Sequence, residues 1–290
     1  MRSTCGARWA FPTRTPCPCW ISLGSRPSPT EPVHSGKVRD DVERRSWREV
    51  ADQLFRGGHR IEARGAFLSG SATVDGTAIS VVGTTDHATI DAEMALRIAS
   101  AILRVVREAP GRPILILVDT NGPSLRHRDE LLGINTYMAH LAKCVEMARR
   151  FGHHIVSLIY DRALSGGFIA SGMMADLCFA LPQAEIRVMN IRAMAQVTKI
   201  ARERLERLSR SSPVLAPGAE NYFKMGAVDE IWSGDIGAHL AAALRQAVGP
   251  DQRASRGLER GGRHLAGPVA QKVRWYGRDR TIPATCDRQG

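Results

Sequence analysis

Two glycines follow a serine in residues 165–172, SGGFIASG, directly after the apolar run IVSLI at residues 155–159. The apolar run predicts a strand, and the small residues after it suit the start of a helix. Glycine lets a substrate approach the main chain closely, and free N–H groups at a helix start point toward developing negative charge. The segment therefore predicts an oxyanion hole, in which one well-placed donor contributes roughly 3 kcal/mol to a transition state. The alternative is structural, with glycines that simply let the helix pack tightly on the strand.

A second turn of the same kind comes earlier in the chain. Residues 114–122, ILILVDTNG, join a continuous apolar run to Asn121 and Gly122, and Pro123 follows. Such a run predicts a strand that is buried on both faces and stops at the turn. Two neighbouring strands that end in this way would line one crevice with main-chain donors.

Several common enzyme classes are disfavoured because their side-chain motifs are missing from the sequence. No G-x-S-x-G surrounds Ser165 or Ser171, which argues against a serine hydrolase. The sequence also lacks G-x-G-x-x-G after a strand, a Walker A lysine and an H-E-x-x-H pair. Cys17 and Cys19 have no nearby histidine, so we expect no metal site.

Three further polar residues have a structural and a functional interpretation. His153 and His154 begin a predicted strand, where a satisfied structural histidine is more common than a catalytic one. Lys199 follows a helical run and could meet a carboxylate or a phosphate, although a solvated helix end is the commoner explanation.

The composition restricts the partners and the cellular compartment. Among 290 residues, 40 Lys and Arg face 29 Asp and Glu, a formal net charge of +11. The basic residues lie at the chain ends and on helical faces without interleaved aromatic residues, so we expect acidic protein partners and no nucleic acid. The longest apolar stretches fall far short of the roughly 18 residues of a spanning helix, so we expect no membrane segment. Six cysteines without a disulfide framework are typical of a reducing cytoplasm.

Predicted helices and strands, which would position the two turns, alternate along the chain, and this alternation predicts an α/β layered fold. We predict a helix from about Ser46, a hairpin turning at Asp75 and Gly76, helices over residues 91–108 and 129–151, and later strands in DLCFAL and AEIRVM. Helices are also predicted over residues 201–208, 237–248 and 253–275. Residues 1–40, rich in Pro, Ser and Arg, predict a disordered extension, residues 41–250 the folded domain and residues 251–290 a basic C-terminal helix or tail.

The order of these motifs resembles the carboxyltransferase branch of the crotonase-like superfamily. ILILVDTNG, a helix, SLIYDRALSGGFIASG and AEIRVMN parallel V-D-T-P-G followed by S-G-G-x-x-A-x-G in that branch, and MGAVDEIW resembles its closing strand. More specifically, RDELLGIN, SGGFIASGMMAD and SSPVLAPGAENYFKMGAV resemble the γ subunit of biotin-independent malonate decarboxylase. The similarity runs from about residue 46 to residue 248. It implies an α/β, crotonase-like β-β-α spiral core with surrounding helices.

The resemblance also implies an activity, partners and site residues. A γ subunit of this family pairs with a homologous β subunit and decarboxylates a malonyl thioester on an acyl-carrier protein. The acyl group is held on the carrier's phosphopantetheine-type prosthetic group, and no other tightly bound cofactor is implied. By the match, Gly166 and Gly167 are the expected oxyanion donors and Ser165 shapes the turn. Asn121 and Gly122 occupy the turn where related enzymes have Pro-Gly.

Two other functions remain open at this point. The chain could be a carboxyltransferase subunit that hands the carboxyl group to biotin. It could also be a scaffold that completes the active site of the β subunit without supplying chemistry of its own.

Overall fold

The computed structural model describes residues 45–124, 126–189, 191–211, 217–246, 249–262 and 264–278, all within the compact unit Val42–Gly290. The extension predicted for residues 1–40 lies outside the described residues. The helices are α1 Trp47–Leu54, α2 Ala92–Glu108, α3 His127–Leu131, α4 Ile134–Arg150, α5 Ser165–Ala170, α6 Ile191–Thr198, α7 Arg202–Ser211, α8 Ala219–Lys224, α9 Ile236–Arg245, α10 Arg253–Glu259 and α11 Ala266–Arg278. The strands are β1 His59–Arg64, β2 Phe67–Val74, β3 Thr77–Thr84, β4 Ala88–Ile90, β5 Ile114–Pro123, β6 Ile155–Leu164, β7 Leu177–Ala180, β8 Glu185–Arg187 and β9 Glu230–Ile231.

The strands form one mixed sheet in the order β1-β2-β3-β5-β6-β7-β9. The first three strands are antiparallel, and the pairs from β3 onward are parallel. The predicted hairpin joins β2 to β3, and both Asp75 and Gly76 have positive φ, as a type I′ turn requires. Strands β4 and β8 pair only with the final residues of β5 and β6, where they form a short branch of the sheet.

Both faces of the sheet are covered, which explains the continuous apolar run in β5. Ile114, Ile116 and Val118 pack in the core with α2 and α4, whereas Leu115 and Leu117 pack in a second core with α1 and α9. Helix α2 begins where the sequence predicts, because the Asp91 side chain accepts a hydrogen bond from the main chain of the first turn. The expected α/β layering is confirmed.

The structure corrects two predicted helices. The single helix expected over residues 129–151 is two helices, because Gly133 has a φ of 72° and separates α3 from α4. Leu132, which directly precedes this break, is 46% exposed. The helix expected over residues 253–275 is also two, since α10 ends at Glu259 and α11 starts at Ala266.

Helix α10 is fixed to the body of the domain by arginine contacts. The Arg260 guanidinium lies 3.9 Å from the centre of the Phe223 ring and donates to the carbonyl oxygens of Phe223, Val228 and Asp229. Arg256 forms an ion pair with Asp229. In the part of the chain that the structure describes, no helix has the length and apolar character that crossing a membrane requires.

Candidate active site at two strand ends

The parallel pairing of β5 with β6 brings the two glycine turns together. Val118 is opposite Ile159, but a register shift then places Thr120 opposite Ala163. A Cβ atom added to Gly167 would lie 3.0 Å from Gly122 Cα and 2.9 Å from Ile90 Cγ1. One added to Gly122 would lie 2.8 Å from the Leu164 carbonyl oxygen. The two turns therefore touch main chain to main chain, which only glycine permits at these positions.

The first turn is fixed by the Thr120 hydroxyl. Thr120 Oγ1 donates to the Ala88 carbonyl oxygen at 2.7 Å and accepts the Gly122 N–H at 2.9 Å. Gly122 has a φ of 90°, so its place in the turn also depends on a conformation that suits glycine. Because its N–H is already bonded, Gly122 provides close approach to the second turn and not a free donor.

The second turn lies at the start of helix α5. Ser165 begins α5 with a φ of 56°, and Leu164 before it provides no side-chain cap. The N–H groups of a first helical turn have no acceptor within the helix, and those of Gly166 and Gly167 belong to this class. Ser171 Oγ donates to the Gly167 carbonyl oxygen at 2.7 Å, which fixes the orientation of the peptide between Gly167 and Phe168. The role of Gly166 and Gly167 as oxyanion donors stays a prediction.

A charged group lies beside the turns, on residues of β6 and β8 that share one face. Arg162 is opposite Glu185, and Leu164 is opposite Arg187. Arg162 Nε donates to Glu185 Oε2 at 3.0 Å, and Arg187 forms an ion pair with the other oxygen of the same carboxylate. Arg162 Nη1 donates to Asn121 Oδ1 at 2.9 Å, so Asn121 holds an arginine in place beside the first turn.

Comparison with known proteins identifies the family. The model of the malonate decarboxylase gamma subunit family matches residues 85–276. The chain belongs to the malonate decarboxylase gamma subunit family. The malonyl-S-ACP:biotin-protein carboxyltransferase MADD of Malonomonas rubra is 31% identical over 202 residues, which span 62% of this chain and 69% of that protein.

Two solved structures show the same fold. A Pseudomonas malonate decarboxylase hetero-tetramer in complex with coenzyme A has a chain that matches with a TM-score of 0.65 and 24% identity. A chain of the Pseudomonas MdcD-MdcE hetero-dimer matches with a TM-score of 0.62 and 23% identity. Each match covers 78% of this chain and 97% of the other. The crotonase-like fold and the membership of a decarboxylase and carboxyltransferase family, both expected from the motifs, are confirmed.

The chain has a second polar cluster that the sequence motifs did not indicate. His87 Nδ1 lies 2.8 Å from Asp119 Oδ1 and 3.8 Å from Asp161 Oδ2, and the His87 main-chain N–H donates to Asp119 Oδ2. Ligand atoms of the three side chains lie within 4.8 Å of one another, a spacing that could hold a divalent cation. The two hydrogen bonds from His87 also satisfy the buried Asp119 carboxylate without a metal. Nearby, burial raises the pKa of the Tyr160 hydroxyl, which donates to the Thr84 carbonyl oxygen.

The remaining candidates from the sequence do not join the turns. His153 and His154 precede the opposite end of β6, where His153 Nδ1 lies 2.8 Å from the Arg112 carbonyl oxygen. Burial lowers the pKa of the neighbouring His154, which disfavours its charged form. Lys199 follows the end of α6 with a φ of 59° and is exposed. All three residues lie away from the glycine turns. The Nε2 atoms of His153 and His154 are buried without a hydrogen-bond partner among the described residues, so neither ring is fully satisfied as the structural interpretation expects.

Proposed function

We propose that this γ subunit acts with a homologous β subunit to decarboxylate a malonyl group carried on an acyl-carrier protein. Membership of the family supports the reaction, and the name of the Malonomonas relative supports malonyl-S-ACP as the substrate. The hetero-dimer among the structural neighbours supports pairing with a β subunit. The substrate is bound through the carrier's phosphopantetheine-type group, and the γ subunit itself holds no cofactor tightly.

The observation that carries this proposal is the contact between the turns at Gly122 and Gly167, with an uncapped helix start beside it. In the reaction, the bond between the methylene carbon and the carboxylate breaks, and its electron pair moves to the thioester oxygen as carbon dioxide leaves. The methylene carbon then takes up a proton to give the acetyl thioester. The N–H groups of Gly166 and Gly167 stabilise the enolate oxygen, and preformed donors do so without rearranging.

The basic surface has a use in this scheme. Acyl-carrier proteins are acidic, so charge complementarity favours their encounter with a chain of net charge +11. A cytoplasmic location agrees with this chemistry and stays a prediction from the cysteine content.

A second candidate reaction is transfer of the carboxyl group to biotin, since the Malonomonas relative is named as a biotin-protein carboxyltransferase. The same oxyanion donors would serve it, because the malonyl thioester passes through the same enolate. The acceptor distinguishes the two reactions.

The test is to mix the purified chain with its β subunit and malonyl-loaded carrier protein and to measure carbon dioxide. We expect release that requires both subunits and does not depend on biotin. A rate that appears only with a biotinylated protein would establish the carboxyltransferase instead. No carbon dioxide, under conditions in which a known malonate decarboxylase pair is active, would refute the decarboxylase proposal.

A further inference from the structure

The charged group of Arg162, Glu185 and Arg187 has one more positive than negative charge. Both arginines contact the same carboxylate, so Glu185 neutralises only one of them. The three side chains are 20%, 29% and 34% exposed, respectively, which leaves them accessible to a ligand. The group is therefore a partly buried site with a net positive charge, and an anion would balance it.

Arg187 has a buried hydrogen-bond donor without a partner among the described residues. Its Nε atom is shielded from solvent, and none of the described residues provides it with an acceptor. Burial, and then the nearby charge of Arg162, lower the pKa of Arg187. A buried donor without a partner costs free energy that an anionic ligand would recover.

The position of this group relates it to the candidate oxyanion donors. Arg187 is the register partner of Leu164, which directly precedes Ser165, and Arg162 is bonded to Asn121 beside Gly122. The arginines therefore lie beside both glycine turns.

We propose that Arg187, supported by Arg162 and Glu185, binds the free carboxylate of the malonyl group and selects malonyl over acetyl thioesters. This inference rests on the proposed function. A malonyl thioester has its carboxylate one methylene from the thioester carbonyl, so a residue that binds the carboxylate must lie beside the oxyanion donors. The phosphate of a pantetheine arm is many bonds further away, which favours the carboxylate as the ligand.

Glu185 limits the strength of this binding. The carboxylate loses its charge when it leaves as carbon dioxide, so a strong cation would stabilise the ground state more than the transition state. Sharing Glu185 between the arginines leaves enough positive charge for recognition and moderates that penalty.

The test uses the assembled γ and β subunits and compares ligands with and without the carboxylate. For Arg187→Gln, we expect KM for malonyl-carrier protein to rise roughly ten-fold or more, the usual effect of losing a hydrogen bond to a charged group. The inhibition constant of acetyl-carrier protein should stay constant, and kcat should not fall. Arg187→Lys should retain part of the preference. Arg245→Gln removes an exposed arginine ion pair with Asp75 elsewhere in the domain and is the matched control, with no expected change.

Direct binding separates this inference from the proposed function. Malonyl-amide and acetyl-amide analogues of pantetheine can be titrated by calorimetry, because their amide carbonyl resists enolate formation. Tighter binding of the malonyl analogue that disappears in Arg187→Gln would support carboxylate recognition even if the wild-type pair released no carbon dioxide. Equal effects of Arg187→Gln on both analogues, or no effect on either, would overturn it.

A second variant covers the case in which Arg187→Gln does not assemble with the β subunit. Glu185→Gln removes the negative charge that the arginines share, so the preference for the malonyl analogue should increase several-fold. An unchanged or smaller preference in an assembled Glu185→Gln pair would contradict the proposal.

Discussion

Replacement of Gly167 by alanine tests whether contact between the two turns controls catalysis. The new Cβ atom would lie 3.0 Å from Gly122 Cα, 3.2 Å from Gly122 C and 2.9 Å from Ile90 Cγ1. Non-bonded carbon atoms prefer about 3.5–4.0 Å, so the turns must separate by roughly 0.5–1 Å. The main-chain atoms of Gly122 cannot turn aside as the end of a flexible side chain could.

The expected effects follow from that displacement. Overpacking of this kind costs about 1–3 kcal/mol of the free energy of unfolding. Misplacing a catalytic group by about 1 Å can cost 10²-fold in rate, and loss of one oxyanion donor costs a similar factor or more. We therefore expect Gly167→Ala to lower kcat for carbon dioxide release by about 10²-fold while the subunit stays folded.

Alanine substitutions at Gly166 and Gly57 are the comparisons for Gly167→Ala. At Gly166 an added Cβ would lie 3.7 Å from Pro123 Cγ, an ordinary contact, so Gly166→Ala should lose less activity than Gly167→Ala. Gly57 has no atom within 4 Å of such a Cβ, and Gly57→Ala is the control for the substitution itself. The assay measures carbon dioxide from malonyl-carrier protein together with thermal unfolding and assembly with the β subunit. Wild-type turnover by an assembled Gly167→Ala pair would refute the oxyanion role and favour the scaffold.

Four further predictions concern the same turns and their support. Ser165→Ala should change kcat by only a few-fold, because the residue shapes the turn; complete loss of activity would indicate a nucleophile. Thr120→Val removes both buried hydrogen bonds of that hydroxyl and should lower the free energy of unfolding by about 1–3 kcal/mol, measured by urea denaturation. Arg260→Ala removes a contact with an aromatic ring and hydrogen bonds to three carbonyl oxygens, so proteolysis should cut α10 faster. A hydrogen bond from Arg253 lowers the pKa of Asp251 to about 2, so this carboxylate stabilises the fold above about pH 4 and that contribution is lost toward pH 2. For Asp251→Asn, we expect the free energy of unfolding to change less between about pH 4 and pH 2 than it does in the wild type.

The sequence predicts those parts of the fold that local chemistry decides. The hairpin follows from Asp75 and Gly76, which tolerate the positive φ of its turn, and α2 follows from the capping side chain of Asp91. Strand β1 cannot be predicted in this way, because only Ile61 of its six residues is buried and its sequence lacks an apolar pattern. The break at Gly133 is equally hard to predict, because apolar residues recur on both sides of it.

The candidate site, like the fold, can be predicted from the sequence only in part. The turns at Gly122 and Gly167 can be recognised locally, since glycines follow apolar runs. Their contact cannot, because it depends on the parallel pairing of two strands and a register shift between them. Asn121 has an amide that any turn could use, and its hydrogen bond to Arg162 joins residues 41 positions apart. Such pairs arise from tertiary structure and leave no spacing to detect in the sequence.

In the proposed reaction, negative charge moves from the carboxylate of the malonyl group to its thioester oxygen, and a different kind of hydrogen-bond donor is proposed for each of these two groups. Negative charge leaves the carboxylate and accumulates on the thioester oxygen, so a contact at the oxygen strengthens as the reaction proceeds and a contact at the carboxylate weakens. In the proposed scheme, neutral main-chain N–H groups at Gly166 and Gly167 would act where charge grows, and a guanidinium moderated by Glu185 would act where charge disappears. Variants at the glycines should therefore change kcat, and variants at Arg187 should change KM. Similar effects of both on the same kinetic constant would mean that the two groups do not contact opposite ends of one malonyl group.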